Sequence, residues 1–157
     1  MSEIVAGMLD EVPKTLAGMA SAAERDALRY WALALAEVSV EPGDCLLHWD
    51  LHFDNVLAGE REPWLAIDPK PLRGDPGFDL LPALHNRWDE IVESGDVGRA
   101  VRRRFDIMVE ILGLPRDRAV AWTLGRVLQN SIWEIDEGTD RLDLVQISVG
   151  QALVGEK

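Results

Sequence analysis

The chain has 157 residues, enough for one domain with a proper core. Its net charge of −12 at pH 7 argues against nucleic acid and anionic membranes as partners, because both call for basic patches. No apolar run approaches the roughly 20 residues of a membrane span, and a single cysteine, Cys45, precludes an internal disulfide.

The N-terminus lacks the basic region and apolar core of a signal peptide, so the expected compartment is the cytoplasm. Ile4, Val5, Met8, Leu9 and Val12 recur at helical spacing, and Pro13 is expected to end that segment. Ser21 and Glu24 form a capping-box pattern. They open a helix with Leu28, Trp31, Ala32 and Leu35 on one face, which reads as core. Glu41-Pro42-Gly43-Asp44 breaks it. Residues 1–44 are thus a helical lead-in.

Residues 45–79 carry the chemistry. The apolar run Cys45 to Leu47 leads in, and Cys45 is expected to be a buried, reduced thiol. His48, Asp50 and Asn55 then fit H-x-D-x-x-x-x-N, and Asp68 follows eighteen residues after Asp50. A catalytic loop paired with a downstream metal-binding Asp is the phosphoryl-transfer pattern of kinases. Such chemistry needs in-line positioning of a hydroxyl and neutralisation of triphosphate charge. Asp50 would orient the acceptor hydroxyl. Asn55 and Asp68 would be hard oxygen ligands for Mg²⁺. Val56 to Ala58 and Trp64 to Ile67 read as short strands joined by Gly59-Glu60-Arg61-Glu62-Pro63. That hairpin would bring Asn55 beside Asp68. A rival reading is a metal hydrolase, because His48, Asp50, His52 and Asp54 alternate and would share one face of a strand.

After Asp68 the prolines and glycines from Pro69 to Gly77 predict an irregular segment. Lys70 and Arg73 lie within reach of a phosphate held there, Asp75 can brace loop amides, and Asp79 can cap the next helix. From residue 80 to 157 the pattern is helical. Leu80 to Val92 reads as one helix, with Pro82 in its first turn and Leu81, Leu84 and Trp88 inward. His85, Asn86, Arg87, Asp89 and Glu90 are either acceptor-binding residues or plain surface. Asp96 is expected to cap a helix marked by Val97, Val101, Phe105, Met108 and Leu112. Its Arg99, Arg102, Arg103 and Arg104 are expected to face solvent or, alternatively, an anion. Asp117 can cap the next helix, packed by Val120, Leu124, Val127, Leu128, Ile132 and Ile135 with Trp122 and Trp133. Glu134, Asp136, Glu137 and Asp140 could face a cationic acceptor. A last helix runs from Leu142 to Leu153.

HWDLHFDNVL followed by WLAIDPKPLRGDPGFDLLPAL resembles the aminoglycoside phosphotransferases, in particular the streptomycin 6-phosphotransferase and hydroxyurea phosphotransferase branch. The resemblance implies the C-terminal lobe of a protein-kinase-like fold: α+β, mainly helical, a single domain with a small β-hairpin at the metal site. It implies Asp50 as catalytic base, Asn55 and Asp68 as Mg²⁺ ligands, and His48 as a structural histidine. Gly74, Asp75, Pro76 and Asp79 match the family's G-D-P-x-x-D turn. It also implies ATP as donor and a cationic antibiotic, streptomycin-like, as acceptor; Lys70, by its position after Asp68, is a candidate for binding ATP or, equally, part of a solvated basic pair, and the acidic surface suits such an acceptor and, equally, plain solubility.

Two departures stand out. Trp49 occupies a place where the family usually has Gly; protein kinases carry a side chain there, so Gly need not be required. The chain also has no Gly-rich phosphate loop, and none of Lys14, Lys70 and Lys157 suits the phosphate-holding strand Lys. It therefore looks like one lobe alone. An exposed apolar face where the other lobe would sit predicts a homodimer or a partner chain, and a non-catalytic lobe is the alternative to an enzyme.

Overall fold

A computed structural model describes residues 1–155; Glu156 and Lys157, the end of the 80–157 span, lie outside them. Seven helices and two small antiparallel sheets appear among the described residues. This is the mainly helical α+β architecture expected.

Helix α1, Ser2–Gly18, runs straight through Pro13. The expected stop does not occur. Proline removes one intrahelical hydrogen bond, but Val5, Met8 and Thr15 are buried on both sides of it, so tertiary packing carries the helix through. Helix α2, Ala22–Val38, opens as expected, with the Ser21 hydroxyl accepting from the Glu24 amide at 3.3 Å. Glu24 does not close a reciprocal box. Its carboxylate turns away to take the Arg141 Nε at 2.7 Å and the Leu142 amide at 2.9 Å, tying α2 to the segment that follows residue 140.

Strand β1, Cys45–Leu47, pairs with β4, Leu72–Gly74, and β2, Val56–Ala58, pairs with β3, Trp64–Ala66. Strand β4 falls in the segment expected to be irregular. Leu72-Arg73-Gly74 is too short to show alternation, and its partner is about 27 residues away in sequence. Cys45 is exposed, against expectation. It lies at the outer end of a two-stranded ribbon, and in its own strand only Leu47 reaches the core.

The expected helix over 80–92 is two helices, α3 (Leu81–His85) and α4 (Trp88–Glu93). Asn86 is extended and Arg87 is left-handed, with φ 52°. The break frees Asn86 to bond elsewhere. Its side-chain oxygen accepts from the Phe53 amide at 3.2 Å, and its carbonyl accepts from Arg104 at 2.7 Å.

Helix α5, Val97–Leu112, starts at the expected Asp96 cap and stops at left-handed Gly113. Helix α6, Arg116–Asp136, is the axis of the domain. Pro115 precedes it, and Asp117 lies inside the first turn rather than capping it. It packs against α1, α2, the turn Pro76–Asp79 and α7 (Leu144–Val154). Helices surrounded this way are apolar on most faces, and Trp122, Leu124, Val127 and Leu128 are fully buried. Trp133 is the exception at 50% exposed. Gly77 lets the Pro76–Asp79 turn meet α6. A Cβ there would lie 2.9 Å from the Trp122 Cβ and 3.0 Å from the Ala119 Cα.

Candidate active site

The segment from His48 to Asn55 is a loop ending in a single 3₁₀ turn, Phe53–Asn55. It is not a strand, so His48, Asp50, His52 and Asp54 do not line one face, as the hydrolase reading required. Among the described residues no three His, Cys, Asp or Glu side chains converge to hold a metal ion.

The loop is held mostly through its backbone. The Asp79 carboxylate accepts from the amides of His48 (2.8 Å) and Trp49 (2.6 Å). The His48 carbonyl accepts from the Lys70 amide at 3.0 Å. The His48 ring lies 2.8 Å through Nε2 from the Ile67 carbonyl, which can only accept, so Nε2 carries the proton. His48 thus joins the loop to the segment leading into Asp68. The Asn55 side-chain amide donates to the Asp50 carbonyl at 2.9 Å, and the Ile67 amide donates to the Asn55 carbonyl at 2.9 Å. With Val56 opposite Ala66, the β2–β3 hairpin brings Asn55 alongside Ile67, one residue short of Asp68. The hairpin itself forms where the spacing predicts it.

Trp49 and Asp68 are both left-handed, with φ of 66° and 55°. Residues with side chains rarely adopt this conformation, and it costs about 1 kcal/mol or more each. Position 49 does not require glycine, as expected, since Trp49 occupies it, but it does so in an unfavourable conformation. The backbone there has the conformation that glycine takes freely, and Trp49 holds it under constraint.

The Asp50 carboxylate receives Lys70 Nζ at 2.7 Å. That hydrogen bond holds its carboxyl below the usual carboxylate range against the opposing effect of partial burial; the charges of Lys70, His52 and Arg126 add to it. Asp50 is thus ionised at neutral pH and able to accept a hydrogen bond. His52 stands 4.0 Å from Asp50 and 3.4 Å from Asp54.

Asp75 and Asp79 exchange the roles expected of them. Asp75 caps the Pro76–Asp79 turn through the Gly77 amide (2.9 Å) and pairs with Arg118 at 2.7 Å. Asp79 braces the loop. Arg73 sits on β4, 4.0 Å from Asp44. The expected acidic group divides: Asp136 pairs with Lys14 at 2.6 Å, whereas burial pushes the half-buried Glu134 carboxyl up, with nearby Asp143 adding to the shift. Burial holds the His85 imidazole below its usual range, helped by Arg126 and His52. Arg104 is not a solvated arginine. Its guanidinium lies 5.7 Å from the Phe53 ring, with Arg87 over the same ring at 5.1 Å.

The residue missed in sequence is Arg126. It sits mid-α6 among apolar neighbours and is 8% exposed. Burial pushes its pKa down to about 10, with Asp79 and Asp50 acting in the opposite direction, so it stays charged at neutral pH. Only its place inside an otherwise buried helical face could have signalled it.

Residues 17–138 match the family model described as aminoglycoside/hydroxyurea antibiotic resistance kinase. This chain belongs to that family. A streptomycin 6-kinase of Streptomyces glaucescens is 57% identical over 155 residues, 99% of this chain and 50% of the relative. A streptomycin 6-kinase of Streptomyces griseus is 54% identical over 153 residues, 98% of this chain and 50% of the relative. A hydroxyurea phosphotransferase of Kitasatospora aureofaciens is 56% identical over 155 residues, 99% of this chain and 43% of the relative. The chain spans about half the length of these relatives. No solved structure matches it. No helix among the described residues is long and apolar enough to cross a membrane.

Proposed function

We propose that this chain supplies the acceptor- and metal-binding half of an ATP-dependent phosphotransferase acting on a hydroxyl of a streptomycin-like cationic antibiotic. The observation that carries this reading is the join between two segments. One backbone network fixes the loop bearing ionised Asp50 to the hairpin that leads from Asn55 to Asp68. Asp50 accepts the hydrogen bond of the acceptor hydroxyl and orients its oxygen for in-line attack, taking its proton late. Lys70, already at the carboxylate, lies where it can neutralise charge on the incoming phosphoryl group.

The donor set suits Mg²⁺. The Asn55 amide nitrogen is engaged with Asp50, which leaves its Oδ1 free to ligate. Among the described residues the Asp68 carboxylate takes part in no hydrogen bond or ion pair. Both are hard oxygen donors, as Mg²⁺ prefers. A bound Mg²⁺ would supply neutralisation of the triphosphate charge. An ATP donor fits a reaction in the cytoplasm, the compartment we propose.

A second reading is that this half binds its ligand without turnover, or works with a partner chain. It is favoured by exposed Val40 and Leu46, at 82% and 83%. Transfer of labelled γ-phosphate from ATP·Mg²⁺ to streptomycin separates the readings. Transfer that drops about a hundredfold or more in Asp50→Asn supports the enzyme. Equal transfer in both forms would remove Asp50 from the chemistry. No transfer in either supports the second reading.

A further inference from the structure

The geometry points to Arg126 as a positioning residue: its guanidinium clamps Trp49 in the left-handed conformation and so fixes the direction in which Asp50 leaves the loop. Arg126 Nη2 donates to the Trp49 carbonyl at 3.2 Å, and its Cζ lies 5.4 Å from the Trp49 ring. It holds Trp49 on two sides while Asp79 holds the amide on a third. The guanidinium is itself fixed by Gln129 Oε1 at 2.5 Å and by the rings of Phe78 and Trp133 at 5.5 and 5.7 Å.

A buried arginine is a poor core filler. Apolar residues of its volume usually serve as well or better, and its Nε has no hydrogen-bond partner here. What the guanidinium does that an apolar side chain cannot is bond a backbone carbonyl and stack on a ring at once. Both contacts fall on Trp49, whose φ of 66° disfavours a side-chain-bearing residue by roughly tenfold. Asp50 is the next residue. A relaxed Trp49 would swing the Asp50 carboxylate away from Lys70. Trp49 and Arg126 thus form a matched pair, in which the side chain that makes the backbone costly also supplies the face that the clamp grips.

The catalytic weight of the clamp rests on Asp50 being the acceptor-orienting carboxylate. Backbone hydrogen exchange reads the clamp without turnover, so its failure is separable from a failure of phosphotransfer. Exchange is measured by NMR on the full chain, in the wild type, Arg126→Met and Arg126→Lys. The amides of Trp49 and Lys70, which bond Asp79 and His48, report the loop; Leu28 and Leu128 report the core. Arg126→Met is expected to lower protection about tenfold at Trp49 and Lys70 relative to the core, the size of one lost charged hydrogen bond. Arg126→Lys, which keeps the charge but not the planar fork, is expected to lower it at the same amides. If the methionine variant does not fold, the lysine variant carries the comparison. Adding Trp49→Gly to either variant is expected to restore Lys70 protection severalfold, because glycine takes the left-handed conformation unaided. A loss spread evenly over loop and core, no loss at the loop, or no recovery with Trp49→Gly would each overturn the assignment.

Discussion

Asp79→Asn tests whether the loop is braced as described. The native carboxylate takes two backbone amides, His48 at 2.8 Å and Trp49 at 2.6 Å, one on each oxygen. Asparagine keeps a single acceptor oxygen. Its amide nitrogen would face a backbone N–H, donor against donor. One charge-assisted hydrogen bond is therefore lost and the other becomes neutral. Hydrogen bonds to charged groups contribute about 1.5–3 kcal/mol and neutral ones about 1 kcal/mol. Asp79 is half-buried, so solvent can repair part of the loss. Arg126 also loses a nearby opposite charge while remaining buried. Together these give an expected loss of about 2–4 kcal/mol in urea unfolding, with an unchanged m-value. The effect should also be local first, with exchange at the His48 and Trp49 amides rising before that of α6. A loss under about 0.5 kcal/mol, the scale of an ordinary surface substitution, would refute the bracing role.

Trp122→Ala removes a fully buried indole that meets Phe78 edge-on at 6.2 Å, and should cost about 3–5 kcal/mol in the same assay. Gly77→Ala puts a methyl against the Trp122 Cβ and the Ala119 backbone, neither of which can move independently; a loss of about 1–3 kcal/mol is expected. Glu24 should give a pH dependence of definite sign. Burial raises its carboxyl, but the bonds from Leu142 and Arg141 outweigh burial and leave it below its usual 4.5. A lowered folded pKa means that its contribution is complete above the unfolded value and is lost as pH falls through the folded one. Urea stability of the wild type should therefore fall on the acid side of 4.5 more steeply than that of Glu24→Gln. Parallel pH profiles would show that the carboxylate is not the source.

The hairpin was legible because the spacing of its flanking residues encodes local geometry. Twelve residues between Asn55 and Asp68 suffice for two three-residue strands and a turn, and the hairpin forms there. The helices were legible through their apolar periods, with errors where packing overrode local preference. Pro13 is an example, a helix breaker carried inside a helix whose buried residues lie on both sides. Strand β4 was not legible, since three residues have no period to read and the partner strand is remote.

The exchange between Asp75 and Asp79 shows a deeper limit. Both are acids beside a helical start, and either could cap it by local rules. What decides is which carboxylate the tertiary fold turns towards the loop amides of His48 and Trp49, 31 and 30 residues back from Asp79. Arg126 follows the same logic. Its place on an otherwise apolar helical face marks it as unusual, but its meaning comes from Trp49, 77 residues away. Trp49 looked like a tolerated departure from the family pattern for as long as its backbone was unknown. A positive φ at a tryptophan makes it a position that must be held, and the residues that hold it, Asp79 and Arg126, are the two whose roles the sequence did not show.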